Sequence, residues 1–215
     1  MSQAPLLGVF GGTFDPVHRG HLLIAKALAA KLQLNRLHII PAAQSPCKPN
    51  TAASPEQRVQ MLRLALTGHP EFFLDLCENR RPGPSYTVTT LRELKQRYPQ
   101  HSLLLLIGAD TFVSLSTWYE HEALPKLAHL VVMNRYGVPT TELETEGFTA
   151  IDPEQLGQQA AGGLLAVDVP SPDISSTCIR NCIATGKDVT SMLYPAVWAY
   201  IQQQQLYGID IAAEA

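Results

Sequence analysis

Several familiar patterns are missing from this 215-residue chain. The first apolar run, residues 6–10, is not followed by Gly-x-Gly-x-x-Gly, which argues against a dinucleotide-binding dehydrogenase. Gly-x-x-x-x-Gly-Lys-Ser/Thr is absent too, and the nearest fragment, Gly186-Lys187-Asp188, lacks both the hydroxyl and the upstream glycine of a P-loop. The four cysteines, Cys47, Cys77, Cys178 and Cys182, form neither C-x-x-C nor a zinc-finger spacing. Cys178 and Cys182 would share a helix face; they read as small buried apolar side chains in a reducing compartment rather than a metal pair, and no protein metal site is expected. No basic stretch leads into an apolar segment at the N-terminus, so no signal peptide is expected. The longest aliphatic run, residues 103–107, is far too short to cross a bilayer. Charge is sparse as well: 16% of residues are charged and the net charge is −3. With a pI near 6.1, nothing pulls the whole chain toward nucleic acid or anionic lipid, and any anion site must be local. A soluble, cytoplasmic protein with small-molecule partners is expected, with no nucleic acid and no membrane. Homo-oligomerisation is left open.

What is present is a 46% hydrophobic composition, enough for a sizeable core. Short apolar runs at 6–10, 37–40, 72–74, 103–107, 130–133 and 164–169 read as strands. Between them lie helical patterns at 22–32, 54–66, 87–98 and 175–184, with a last helix opened by Pro195. Asp15-Pro16 reads as the cap and first position of the first helix. Ser54 with Gln57 three residues on reads as a capping box. Alternating strands and helices predict an α/β fold, a Rossmann-like doubly wound parallel sheet with helices on both faces. The chain reads as a single domain over 1–215, with a surface excursion at about 137–162, where Gly, Thr, Glu and Gln dominate. In such sheets ligands sit beyond the carboxyl ends of the strands. That puts residues 11–21, 45–48, 108–110 and 172–177 on one rim.

The strongest signal lies at residues 11–21, Gly-Gly-Thr-Phe-Asp-Pro-Val-His-Arg-Gly-His. Gly11 and Gly12 let the backbone turn sharply and approach a ligand closely. A helix starting there offers free N–H groups and partial positive charge to phosphate. His18 and His21, three residues apart, would share a face and aim at one phosphate group. Gly20 costs roughly 1 kcal/mol against alanine in a helix, which makes sense if a nucleotide lies against the backbone between the histidines.

This stretch resembles the His-x-Gly-His signature of the nucleotidyltransferase α/β-phosphodiesterase superfamily. A second segment, Ile174-Ser175-Ser176-Thr177-Cys178-Ile179-Arg180, is similar to the superfamily's Ile-Ser-Ser-Thr-x-x-Arg. Residues 84–91, Pro-Ser-Tyr-Thr-Val-Thr-Thr-Leu, together with Ile107-Gly108-Ala109-Asp110 and Trp118-Tyr119, resemble landmarks of the bacterial nicotinate-nucleotide adenylyltransferases. The resemblance runs from about residue 7 to 207.

It implies adenylyl transfer from ATP to nicotinate mononucleotide, with His18, His21 and Arg180 as catalytic residues and Mg²⁺ carried by the ATP phosphates. Gly11, Gly12, Thr13, Phe14, Gly20, Ile107, Gly108, Arg135, Ser176 and Thr177 would bind ATP. Lys48, Ser85, Tyr86, Thr87, Asp110, Trp118 and Tyr119 would bind the mononucleotide. Trp118 would stack on the pyridine, and the Thr87 and Tyr119 N–H groups would hold its carboxylate. One departure stands at Pro46-Cys47-Lys48, where relatives carry histidine in place of Cys47; Cys47 is given no catalytic role. A nicotinamide-preferring enzyme, a phosphopantetheine adenylyltransferase and a non-catalytic ATP-binding sensor stay open as alternatives.

Overall fold

The computed structural model describes residues 3–46, 48, 50–134, 145–169 and 172–209. Seven parallel strands form one sheet in the order β3-β2-β1-β4-β5-β7-β6. They are β1 (Leu6–Gly12), β2 (Arg36–Pro41), β3 (Phe72–Leu74), β4 (Ser102–Gly108), β5 (His129–Asn134), β6 (Thr149–Ala150) and β7 (Gly163–Asp168). The central strands read as aliphatic runs because both faces are covered: Leu103, Leu104, Leu105 and Leu106 in β4 are all buried. One face packs on α1 (Arg19–Lys31) and α2 (Pro55–Ala65), and later on α6 (Ser176–Ala184) and α7 (Pro195–Gln203). The other packs on α4 (Thr87–Arg97) and the turn residues around Leu115 and Leu124. Short helices α3 (Cys77–Arg80) and α5 (Ala109–Phe112) follow β3 and β4. Strand order reverses between β1 and β4, each of which pairs with the other, and this switch opens a crevice at their carboxyl ends.

Local signals explain most helix ends. Ser54 Oγ accepts the Gln57 N–H at 3.2 Å while Gln57 Oε1 accepts the Ser54 N–H at 2.8 Å, the expected capping box. Ser175 caps α6 by accepting the Cys178 N–H at 3.1 Å. Gly186, at φ +66°, stops the chain beyond it. Among the described residues no helix is long and apolar enough to cross a membrane.

Three expectations are corrected. Asp15 does not cap α1; its peptide bond to Pro16 is cis, its side chain is buried, and the cap is His18. The aspartate is spent on long-range hydrogen bonds, which outcompete a local cap. The sharp turn is not at Gly11-Gly12 either. Both end β1 in extended backbone, and Phe14 takes the left-handed conformation at φ +51°. Cys178 is exposed and Cys182 half-buried, so neither is the fully buried side chain expected; α6 turns its Cys178 face away from the core and buries Ile179 and Ile183 instead.

Of the stretch 137–162, residues 145–162 are described. They add the edge strand β6 and bury Leu156 in the core.

Candidate active site

The crevice holds a cavity of about 1150 Å³. Four of the predicted rim segments converge on it, from chain positions as far apart as Gly11 and Arg180. Gly11, Gly12, Thr13 and Phe14 form one wall, and His18, Gly20 and His21 continue it into α1. Ser176, Thr177 and Arg180 enter at the start of α6. Ile107, Gly108 and Asp110 come from the end of β4 and from α5. Lys48, exposed, arrives from the loop after β2. Ser85, Tyr86 and Thr87 lead into α4, facing Trp118 and Tyr119. Arg135 and Cys47 lie outside the described residues.

The two histidines are fixed by the helix start itself. The His18 N–H donates to His21 Nδ1 at 3.2 Å, and the rings lie against each other, centroids 3.6 Å apart and tilted by 31°. With Nδ1 accepting, a neutral His21 carries its proton on Nε2, leaving that atom as a donor. His18 is buried and His21 half-buried. Gly20 makes room for this pair: a Cβ there would sit 3.0 Å from His18 Nδ1 and 3.3 Å from Pro172 Cγ. A side chain there would press on the neighbouring imidazole, so the glycine has a packing reason before any ligand is considered.

Two hydroxyls read from sequence as ligand donors are committed to the protein. Ser176 Oγ donates to the Pro16 carbonyl at 2.9 Å. Ser85 Oγ accepts the Ala43 N–H at 2.9 Å and the Gln44 N–H at 3.3 Å. Arg180 Nη1 donates to the Asp15 carbonyl at 2.7 Å, so its planar head lies across the turn between β1 and α1. The Cys178 N–H of α6 is taken by Ser175 and the Thr89 N–H of α4 by the Tyr86 carbonyl, which leaves the first N–H groups, at Ser176, Thr177, Thr87 and Val88, without an intrahelical acceptor and suited to an anion.

Facing them is the aromatic end of the cavity. Tyr86 and Tyr119 stack with centroids 4.4 Å apart, and Tyr119 is 54% exposed. Trp118 is half-buried, with its Nε1 shielded from water. Beneath Tyr86, buried Glu78 accepts the Thr90 hydroxyl at 2.6 Å, and Arg81 lies 3.7 Å away. Burial pushes the Glu78 carboxyl above its usual range, against hydrogen bonds from Thr90 and Ser85 and the charge of Arg81.

Sequence reasoning missed the polar scaffold behind these walls. Asp15 accepts the N–H groups of Ala52 at 2.8 Å and Ala53 at 3.1 Å, and the Tyr207 hydroxyl at 2.7 Å. Burial beside Asp15 pushes the Tyr207 phenol far up, so it serves as a donor. Arg58, fully buried on α2, is the second such residue. The signal for it was present, since Arg58 falls on the stripe completed by Leu62 and Ala65, both buried. A cation on a core stripe needs partners. Among the described residues no group of three or more His, Cys, Asp or Glu side chains gathers to hold a metal ion.

Residues 9–182 match the family model described as cytidylyltransferase-like. A probable nicotinate-nucleotide adenylyltransferase of Escherichia coli is 39% identical over 209 residues, spanning 94% of this chain and 98% of its own. The chain belongs to the nicotinate-nucleotide adenylyltransferase family. A Legionella pneumophila member, also described as probable, is 39% identical over 207 residues, covering 94% of this chain and 98% of its own. Among solved structures, the Plasmodium falciparum nicotinic acid mononucleotide adenylyltransferase complexed with NaAD superposes with a TM-score of 0.71 at 16% identity. It covers 96% of this chain and 99% of that one. At that identity the superposition supports the family's fold, in which the cavity lies at the switch point of the sheet.

Proposed function

We propose that this adenylyltransferase joins ATP to nicotinate mononucleotide, forming deamido-NAD and pyrophosphate in the cavity beside β1 and β4. A phosphate oxygen of the mononucleotide forms a bond to the α-phosphorus of ATP. The bond from that phosphorus to the bridging oxygen breaks, and pyrophosphate leaves with the electron pair. The attacking oxygen is already anionic, so no strong base and no covalent enzyme intermediate are needed. Catalysis comes from alignment and from charge placed around the transferring group.

The observation that carries this reading is the convergence of the close His18–His21 pair and the start of α6 on one cavity wall. In it His18, His21 and Arg180 donate to the α-phosphate and leaving pyrophosphate, with the backbone of Thr13 and Phe14 and the N–H groups of Ser176 and Thr177 beside them. Gly11 and Gly12 keep that wall free of side chains, and Gly20 admits the His18 ring. Ile107 and Gly108 flank the nucleoside, and Asp110 is placed for a ribose hydroxyl. Lys48 meets the mononucleotide phosphate as a point charge. Trp118 offers its face to the pyridine, with Tyr86 and Tyr119 beside it.

Selection of nicotinate follows from the start of α4, where Thr87 is the first residue and the first turn holds no acidic side chain. Helix N–H groups and partial positive charge favour a carboxylate over an amide, whose NH₂ would meet donors. Ser85 supports this end by holding the loop after β2. Mg²⁺ would be carried by the ATP phosphates and water; among the described residues no carboxylate cage gathers to hold it. When bound it supplies charge neutralisation on the triphosphate. ATP as substrate and the free thiols Cys77, Cys178 and Cys182 suit a cytoplasmic enzyme.

The test is pyrophosphate release by purified protein with ATP, Mg²⁺ and either mononucleotide. Turnover with nicotinate mononucleotide, at least tenfold above the nicotinamide form in kcat/KM, is expected. His21→Ala should lower kcat by about 100-fold or more, the loss typical of one transition-state donor. No release with either mononucleotide, or a change of only a few-fold in His21→Ala, would contradict the reading.

A further inference from the structure

Arg58 is among the largest fully buried side chains of the protein, and it does not line the cavity. Its guanidinium is met by carbonyl oxygens rather than by a carboxylate in contact. Nη1 donates to Thr13 at 2.8 Å and to Ala42 at 2.6 Å. Nη2 donates to Ala43 at 3.1 Å, and Nε reaches Ala53 at 3.4 Å. Burial lowers the Arg58 pKa, and the charge of nearby Asp15 works against that. The cost of burying such a cation is substantial, and an apolar residue would fill the same stripe on α2. What no apolar residue can do is tie three separate segments by their carbonyl groups.

Those segments are the walls of the active site. Thr13 stands in the turn between β1 and α1, next to Phe14 and the wall that leads to His18. Ala42 and Ala43 begin the loop after β2, whose next residues Ser45 and Pro46 line the cavity and which continues to Lys48. Ala53 ends the stretch whose N–H groups Asp15 holds. The β2 loop is gripped from its other side as well: Ser85 Oγ accepts the Ala43 and Gln44 N–H groups, and the Ser85 N–H donates to the Gln44 carbonyl at 2.8 Å. Arg58 therefore holds the carbonyls of the wall that Ser85 holds by its amides. One side of this wall faces the histidine turn and the other the start of α4.

We infer that Arg58 is a positioning residue for the transfer: it fixes the spacing between the turn that holds the triphosphate and the loop that delivers the mononucleotide. The inference rests on the proposed adenylyl transfer and deepens it. In-line attack between two bound phosphates is sensitive to displacements near 1 Å, which cost about 100-fold in rate. Each substrate alone still finds its own half of the cavity. Loss of the fork should therefore appear in kcat more than in the affinity for either substrate.

Arg58→Lys keeps a charge but loses the planar fork that reaches several carbonyls at once. The expected result is a kcat at least 10-fold below wild type at saturating substrates. KM for each substrate, and the Kd of ATP alone by calorimetry, should stay within about threefold. Asp75→Asn, which loosens an ionic cluster at the sheet edge away from the cavity, is the matched destabilised control and should keep its kcat. If Arg58→Lys does not fold, Ser85→Ala releases the same loop from the opposite side and should show the same split.

A kcat of Arg58→Lys within threefold of wild type overturns the inference, as does an equal loss of kcat in Asp75→Asn. Wild-type kcat in Ser85→Ala beside an unfolded Arg58→Lys also overturns it, because Arg58 would then be needed for folding alone. Active wild-type enzyme with an unaffected Arg58→Lys sinks only this inference. Inactive wild type sinks the proposed reaction itself.

Discussion

Two buried aspartates follow parallel strands in this protein, and their main partners differ. Asp15, beyond β1 at the centre of the sheet, accepts two backbone N–H groups and a tyrosine hydroxyl. Asp75, beyond β3 near the edge, is held mainly by side chains, His38 Nδ1 at 3.0 Å, Arg97 at 2.6 Å and Arg80 at 3.2 Å, with one backbone N–H from Cys77 at 3.0 Å. The partners of Asp15 come from the segment before α2 and from the C-terminal Tyr207, so the carboxylate gathers distant chain around the cavity. The partners of Asp75 lie on β2, α3 and α4 and fasten the sheet margin. Backbone donors specify where a loop runs, whereas cationic side chains reaching in from neighbouring elements fix no loop path of their own. The difference separates a carboxylate that shapes the site from one that stabilises the frame.

Asp15→Asn tests the first half most severely. An amide there sets an NH₂ donor against the Ala52 or Ala53 N–H and removes the charge nearest Arg58. Turnover should fall on the order of 100-fold through misplaced walls, with about 3 kcal/mol of stability lost in urea denaturation. Retention of wild-type kcat would erase the distinction.

Asp75→Asn should cost a similar amount, about 3 kcal/mol, yet leave kcat within about twofold. Its pH dependence sharpens the contrast. Burial raises the Asp75 carboxyl, but the His38 hydrogen bond and the Arg97 charge outweigh it and hold the group at about 2, below the ordinary 3.8. A depressed carboxylate stabilises the fold fully above its unfolded pKa and loses that contribution as pH falls toward the folded one. The stability gap between wild type and Asp75→Asn should be flat near neutrality, then shrink between about pH 4 and pH 2. A gap that persists at pH 2 would remove the ionic explanation.

The smallest effect is expected from Tyr207→Phe, which deletes one donor to Asp15. About 1 kcal/mol of stability should be lost, with turnover reduced only a few-fold. No change in thermal midpoint would mean that the C-terminal turn does not help to hold Asp15.

The contrast also explains what could be read in advance. Strands and capping boxes depend on neighbours in sequence, so β4 and the Ser54–Gln57 cap were legible. Nineteen of the residues predicted for the site line the cavity, because glycines, histidines and the Ser-Ser-Thr helix start sit at strand ends. The turn itself was not legible. Asp15-Pro16 has the local form of a helix start, and only Tyr207, at a separation of 192 residues, and the amides before α2 show why the aspartate turns inward. Ser85 and Ser176 carry hydroxyls suited to phosphate, yet carbonyls and amides brought near by folding claim them first. Arg58 was visible as a misfit on an apolar stripe, but its partners were not, since backbone carbonyls carry no residue signature.

A crystal structure with a non-hydrolysable ATP analogue and nicotinate mononucleotide puts all of this to the most direct test. The triphosphate should lie within hydrogen-bonding reach of His18, His21 and the first N–H groups of α6, with the pyridine against Trp118 and its carboxylate at the start of α4. A triphosphate bound away from the His18–His21 pair would contradict the assignment of the site and of the chemistry built on it.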